Sequence, residues 1–102
     1  MKTYQLIFDE RAMADIQRAL DYYNSIYGNL AEKFDSGLKN ALYQLKQNPF
    51  YQIKYEDIRC LKIKSFPYSI HYTIDEKHDE IHIFSIVHTA SEPDKSWLWQ
   101  EE

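Results

Sequence analysis

A chain of 102 residues has room for one layered core and not for two. Hydrophobic residues at 44%, with only two glycines and three prolines, exclude a disordered or low-complexity polymer. A net charge of −4 excludes a general polyanion binder, whose surface would be strongly basic; residues 49–72, with four Lys/Arg against two Asp/Glu, are the only net basic stretch.

In chain order, residues 3–8 alternate Tyr4, Leu6 and Phe8 against Gln5 and Ile7, which predicts a short strand. Asp9, Glu10 and Arg11 break this apolar run, so neither a signal peptide nor a membrane span is expected, and the chain is placed in the cytoplasm. From residue 10 to 27, Ala12, Ile16, Ala19, Leu20 and Tyr23 recur at helical spacing, with Asp9 placed to cap and Gly28 to stop. Asn29, with Glu32 three residues on, reads as the cap of a second helix whose stripe is Leu30, Phe34, Leu38, Ala41, Leu42 and Leu45, ended by Asn48-Pro49. A loop over 50–56 precedes strands at 58–64, 68–75 and 80–88, joined by turns short enough for an antiparallel meander. The lone Cys60, between Ile58 and Leu61, is read as a packing residue. The tail, residues 89–102, is acidic and carries Trp97 and Trp99, either capping the core or anchoring a partner. Residues 1–102 thus form one α+β domain of order β-α-α-β-β-β. A helical hairpin packs on one face of a four-stranded, mainly antiparallel sheet.

Parity assigns the faces. Tyr68, Ile70, Tyr72 and Ile74 point toward the helices, and Ser69, His71, Thr73 and Asp75 away from them. If Asp75 pairs with Asp79 across the turn, Phe84 falls opposite Ile70 and Ile86 opposite Tyr68. Lys62 and Lys64 then share the open face with His71, Ile83 and Val87.

The text AMADIQRALDYYNSIYG, the Asn48-Pro49 stop, then DIRCLKIKSFPYSIHYTID and IHIFSIVHTASEPDKSW, resembles the RelE/ParE family of small toxins across nearly the whole chain. The resemblance implies a growth-inhibiting toxin of a type II toxin–antitoxin system, neutralised by a cognate antitoxin protein. It also implies one of two targets, DNA gyrase for ParE-like members or messenger RNA in the ribosome for RelE-like ones. Lys62 and Lys64 stand where the RelE-like motif carries lysines, but Ser69 and Ala90 stand where it carries arginines. Neither can neutralise the charge that develops on a phosphate during RNA cleavage. Arg59, Tyr72 and His88 match the ParE-like pattern, which favours a protein-binding toxin; a ribonuclease with a reduced site, or an inert relative that only binds an antitoxin, remain as alternatives.

The catalytic candidates, if the chain cuts RNA, are Lys62, Lys64 and His71, the last for its exchangeable proton near neutrality; the competing reading of His71 is a solvated surface histidine. The partner-binding candidates are Arg59, His88, Trp97 and Trp99. Arg59 is expected to pair with Glu56, Asp57 or a helix acid. Tyr72 is read as core. His82 and His88 are taken to share a face but, six residues apart, lie roughly 20 Å from each other, so no metal ion is expected between them and no cofactor anywhere.

Overall fold

The structure is a computed structural model and describes residues 2–26 and 28–91. Its elements are β1 (Gln5–Phe8), α1 (Glu10–Asn24), α2 (Leu30–Gln47), β2 (Ile53–Tyr55), β3 (Ile58–Lys62), β4 (Tyr68–Asp75) and β5 (Glu80–His88), then a 3-10 turn at Thr89–Ser91. No helix among the described residues is long and apolar enough to cross a membrane. Trp97 and Trp99 lie outside the described residues, as does Tyr27 at the expected end of the first helix.

The helices begin and end for local reasons. At α1, Asp9 Oδ1 accepts the Arg11 N–H at 2.8 Å, satisfying a donor the helix leaves unpaired. At α2 the expected cap is not made: Asn29, at φ −112° and ψ 3°, forms no side-chain capping bond. Asn48 turns extended at the other end, and Pro49 lacks the N–H to continue. Ala12, Ala19 and Tyr23 of α1 and Phe34, Leu38, Ala41 and Leu45 of α2 are buried, the stripes their spacing predicts.

The sheet has five strands, not four, in the order β1-β5-β4-β3-β2. The added strand, β2, lies inside the expected loop. It pairs Tyr55 with Ile58 across Glu56-Asp57, with Glu56 at φ 50°. Three residues are too few to show alternation in sequence; the open edge of β3 makes them a strand. β1 runs parallel to β5, because the helical hairpin carries the chain back across the sheet.

The β4–β5 register departs from the expected one. Asp75 pairs with Glu80 rather than Asp79, and the ladder shifts by one residue between His71 and Tyr72, leaving Phe84 as a bulge. Ile70 therefore faces Ile86, not Phe84, and Tyr68 faces His88, not Ile86. Ile83, expected on the open face, is in the core, fully buried with Ile81 and Ile86. The bulge also puts His82 and His88 on opposite faces. In the turn, His78 hydrogen-bonds Asp75, holding the Asp75 carboxyl below the usual carboxylate range and the His78 imidazole above its own.

Packing converges on an aromatic cluster from α1, α2, β4 and the β3–β4 turn. Tyr23, Phe34, Phe66 and Tyr68 lie 5.1–6.2 Å apart by ring centroid, within range of edge-to-face attraction. Burying Phe34 completely contributes about 1.5–3 kcal/mol. Beside it Gly37 costs α2 about 1 kcal/mol of helix propensity. A β-carbon there would stand 3.3 Å from Ile63 Cγ2, so its absence lets α2 approach the end of β3.

Candidate functional site

The sequence candidates divide into three places. The first is a clasp that ties the segment after α2 to the sheet. Arg59 lies opposite Tyr72 on the helix side of the sheet. It does not pair with Glu56, Asp57 or a helix acid. Its Nη1 donates to the Tyr51 carbonyl, and the guanidinium lies 5.6 Å from the Phe50 ring centre. Tyr72 Oη donates to the Pro49 carbonyl at 2.8 Å. Burial pushes the Tyr72 phenol well above its ordinary range, only partly offset by Arg59. Arg59 and Tyr72 thus tie the backbone carbonyls of Tyr51 and Pro49 to the sheet, which is a structural task.

The second place is the sheet face turned away from the helices. His71 is not a solvated surface histidine: it is 2% exposed, and Ser69 is fully buried. Its Nδ1 is 2.6 Å from Tyr55 Oη and its Nε2 is 3.0 Å from Ser69 Oγ. A neutral imidazole donates from one nitrogen and accepts at the other, so the three groups form a directional chain. The lysines do not join it. His71 is opposite Cys60; Lys62 is opposite Ser69 and donates to the Phe66 carbonyl at 3.2 Å. Lys64, past the end of β3, lines a cleft beside α2 with Lys33, Gly37 and Phe66. Lys62 thus hydrogen-bonds the Phe66 carbonyl rather than His71, and Lys64 lies in the cleft beside α2.

The third place carries His88. β1 pairs with β5 only from Glu80 to Ile83, and the Asp9 N–H closes that ladder on the Ile83 carbonyl. Beyond it, β5 has one edge without a strand partner among the described residues, and α1 runs alongside. Arg11, Asp15, Arg18, Tyr22, Tyr68 and His88 line the resulting cleft. Asp15 Oδ2 accepts the Ile86 N–H at 3.0 Å and its other oxygen pairs with Arg18. His88 packs edge-on against Tyr68 at 5.2 Å and accepts the Ala90 N–H at Nδ1, 3.1 Å. Sequence reading missed Arg11, Asp15, Arg18 and Tyr55. Asp15 and Arg18 look like an ordinary solvated pair three residues apart on a helix, and nothing in their spacing reveals a strand edge beside them.

The arrangement is a helical hairpin on a five-stranded sheet, and known proteins have a similar fold. A family model described as the ParE toxin of type II toxin–antitoxin systems, parDE, matches residues 6–93. No curated protein matches the chain. Among solved structures, the chromosomal ParDE toxin–antitoxin system of P. aeruginosa is similar at TM-score 0.72 and 21% identity, over 84% of this chain and 96% of that one. The RelBE2 toxin–antitoxin complex of Mycobacterium tuberculosis is similar at 0.59 and 16%, over 84% and 98%. The intact E. coli RelBE toxin–antitoxin complex is similar at 0.53 and 21%, over 81% and 93%. The chain belongs to the ParE toxin family of type II toxin–antitoxin systems.

Proposed function

We propose that this toxin inhibits growth by binding a protein target, as ParE-like members do with DNA gyrase, and that a cognate antitoxin protein neutralises it. The observation that carries this reading is the dispersal of the cations. RNA cleavage needs a base, an acid and fixed positive charge around one phosphate. Here Lys62 is directed to the Phe66 carbonyl, Lys64 lies beside α2, and His71 is buried between Tyr55 and Ser69. Ser69 and Ala90 add no charge. Expression of the toxin without its antitoxin, with messenger RNA ends mapped beside Lys62→Ala, Lys64→Ala and His71→Ala, tests it. Growth arrest with no new RNA ends is the expected result. Codon-phased cuts that vanish in the variants would restore the nuclease reading.

The cleft between α1 and β5 is where an antitoxin segment fits this surface best. Its backbone edge, covered by no strand among the described residues and only in part by Asp15, invites a strand, Tyr22 is 56% exposed for apolar contact, and Arg11 and Arg18 suit acidic side chains. Co-purification with the product of the adjacent gene, lost or weakened in a Tyr22→Ala, Arg18→Glu variant, is the expected outcome. Undiminished binding by that variant would move the antitoxin elsewhere.

A further inference from the structure

The β4–β5 turn gathers a separate group of side chains, at the opposite end of β5 from the α1 cleft and on the sheet face turned away from the helices. Asp75 and Glu80 form the last cross-strand pair of the ladder. His82 follows Glu80 by two residues, so all three side chains leave the same face. One donor atom from each lies within 4.8 Å of the others.

The spacing suits a cation. Glu80 Oε1 and His82 Nε2 are 3.0 Å apart. Two ligands bound tetrahedrally at about 2.0–2.1 Å stand roughly 3.3–3.4 Å from each other, so an ion enters between them with little movement. The turn aims the third ligand. Asp75 Oδ1 lies 3.2 Å from the His78 N–H and Oδ2 lies 2.8 Å from His78 Nδ1, which fixes the carboxylate at the rim of the sheet. Like charges directly opposite on a sheet repel, and a divalent ion turns the Asp75–Glu80 juxtaposition into an attraction. The Lys2 ammonium at this end pairs instead with Asp79, at 3.2 Å.

We propose that Asp75, Glu80 and His82 bind a divalent transition-metal ion of the zinc type, with water completing its coordination. One imidazole beside two carboxylates is a mixed donor set that favours zinc, nickel or cobalt over magnesium and calcium. The ion would clip the ends of β4 and β5 across their turn. It lies at the opposite end of β5 from the α1 cleft proposed for the antitoxin.

Isothermal titration of the full chain with zinc chloride, against magnesium chloride as control, tests the site. The expected result is saturation at one zinc per chain, no comparable heat with magnesium, and a loss of about tenfold or more in zinc affinity for both His82→Gln and Glu80→Gln. His88→Gln, on the other face, should bind as the parent does. Far-UV circular dichroism of the metal-free variants confirms that they remain folded. Absence of zinc binding overturns the proposal, as does binding that survives both substitutions or that falls equally in His88→Gln.

Discussion

The two halves of β5 belong to one strand and live in different surroundings. From Glu80 to Ile83 the strand is interior, flanked by parallel β1 and antiparallel β4. From Ser85 to His88 β4 alone pairs with it among the described residues, and the other edge meets the α1 cleft, where Asp15 takes the Ile86 N–H. Phe84 bulges at the changeover. The difference shows how a central strand acquires an edge: a short neighbour covers half of it, and a helix carboxylate occupies part of the remainder. An uncovered strand edge is a template for another chain, and Asp15 blunts it without closing it.

The sharpest way to break this comparison is to remove packing from each half. Ile83→Ala, at a position 1% exposed, should cost about 2–5 kcal/mol in urea denaturation. Val87→Ala, half-buried on the opposite face, should cost about 1 kcal/mol. Equal costs would mean that Val87 is packed as tightly as Ile83.

Removing the carboxylate at the edge should have the next largest effect. Asp15→Ala leaves the Ile86 N–H without its acceptor and should cost about 1–3 kcal/mol, with faster hydrogen exchange at that amide. Asp15→Asn keeps an acceptor oxygen and should recover most of the loss. Unchanged exchange at Ile86 in the alanine variant would show that Asp15 does not protect this edge.

Tyr72 sharpens the comparison from the strand that both halves share. Tyr72→Phe loses the bond to the Pro49 carbonyl and should cost about 1 kcal/mol at neutral pH. The phenol's pKa is raised in the folded protein, first by burial, so above about pH 10 the unfolded chain loses this proton while the native one keeps it. That contribution is fully present below about pH 10 and is lost as pH rises toward the folded value. Stability measured from pH 8 upward should therefore decline more gently in Tyr72→Phe than in the parent. Parallel declines would place the phenol's ionisation outside the folding equilibrium.

Much of this fold was legible because its signals are local and repeated. The stripes of α1 and α2, Asp9 as a cap, and the spans of β4 and β5 follow from periods of 3.6 and 2 that burial enforces. Arg59 on the helix side and Lys62 on the opposite face follow from the same parity. The site was less legible. Alternation continues through β5 without marking the bulge at Phe84, so Ile83 was assigned to the wrong face and His82 and His88 to the same one. His71 between Ser69 and Thr73 has the sequence surroundings of an exposed residue, and its burial depends on contacts from distant parts of the chain.

Residue order by itself determined the α+β class, both helices, the three long strands and the likeness to RelE/ParE toxins, since each rests on short-range periodicity or on a motif within one segment. Tertiary structure decided the rest. It made residues 53–55 a strand because β3 offered an open edge, and shifted the β4–β5 register through one bulged residue. It set Lys62 on the Phe66 carbonyl and His71 between Tyr55 and Ser69, and it brought Asp15 to the Ile86 N–H across 71 positions of sequence. Hydrogen-bond partners so far apart in the chain are chosen by which elements pack side by side, and no local pattern encodes that choice.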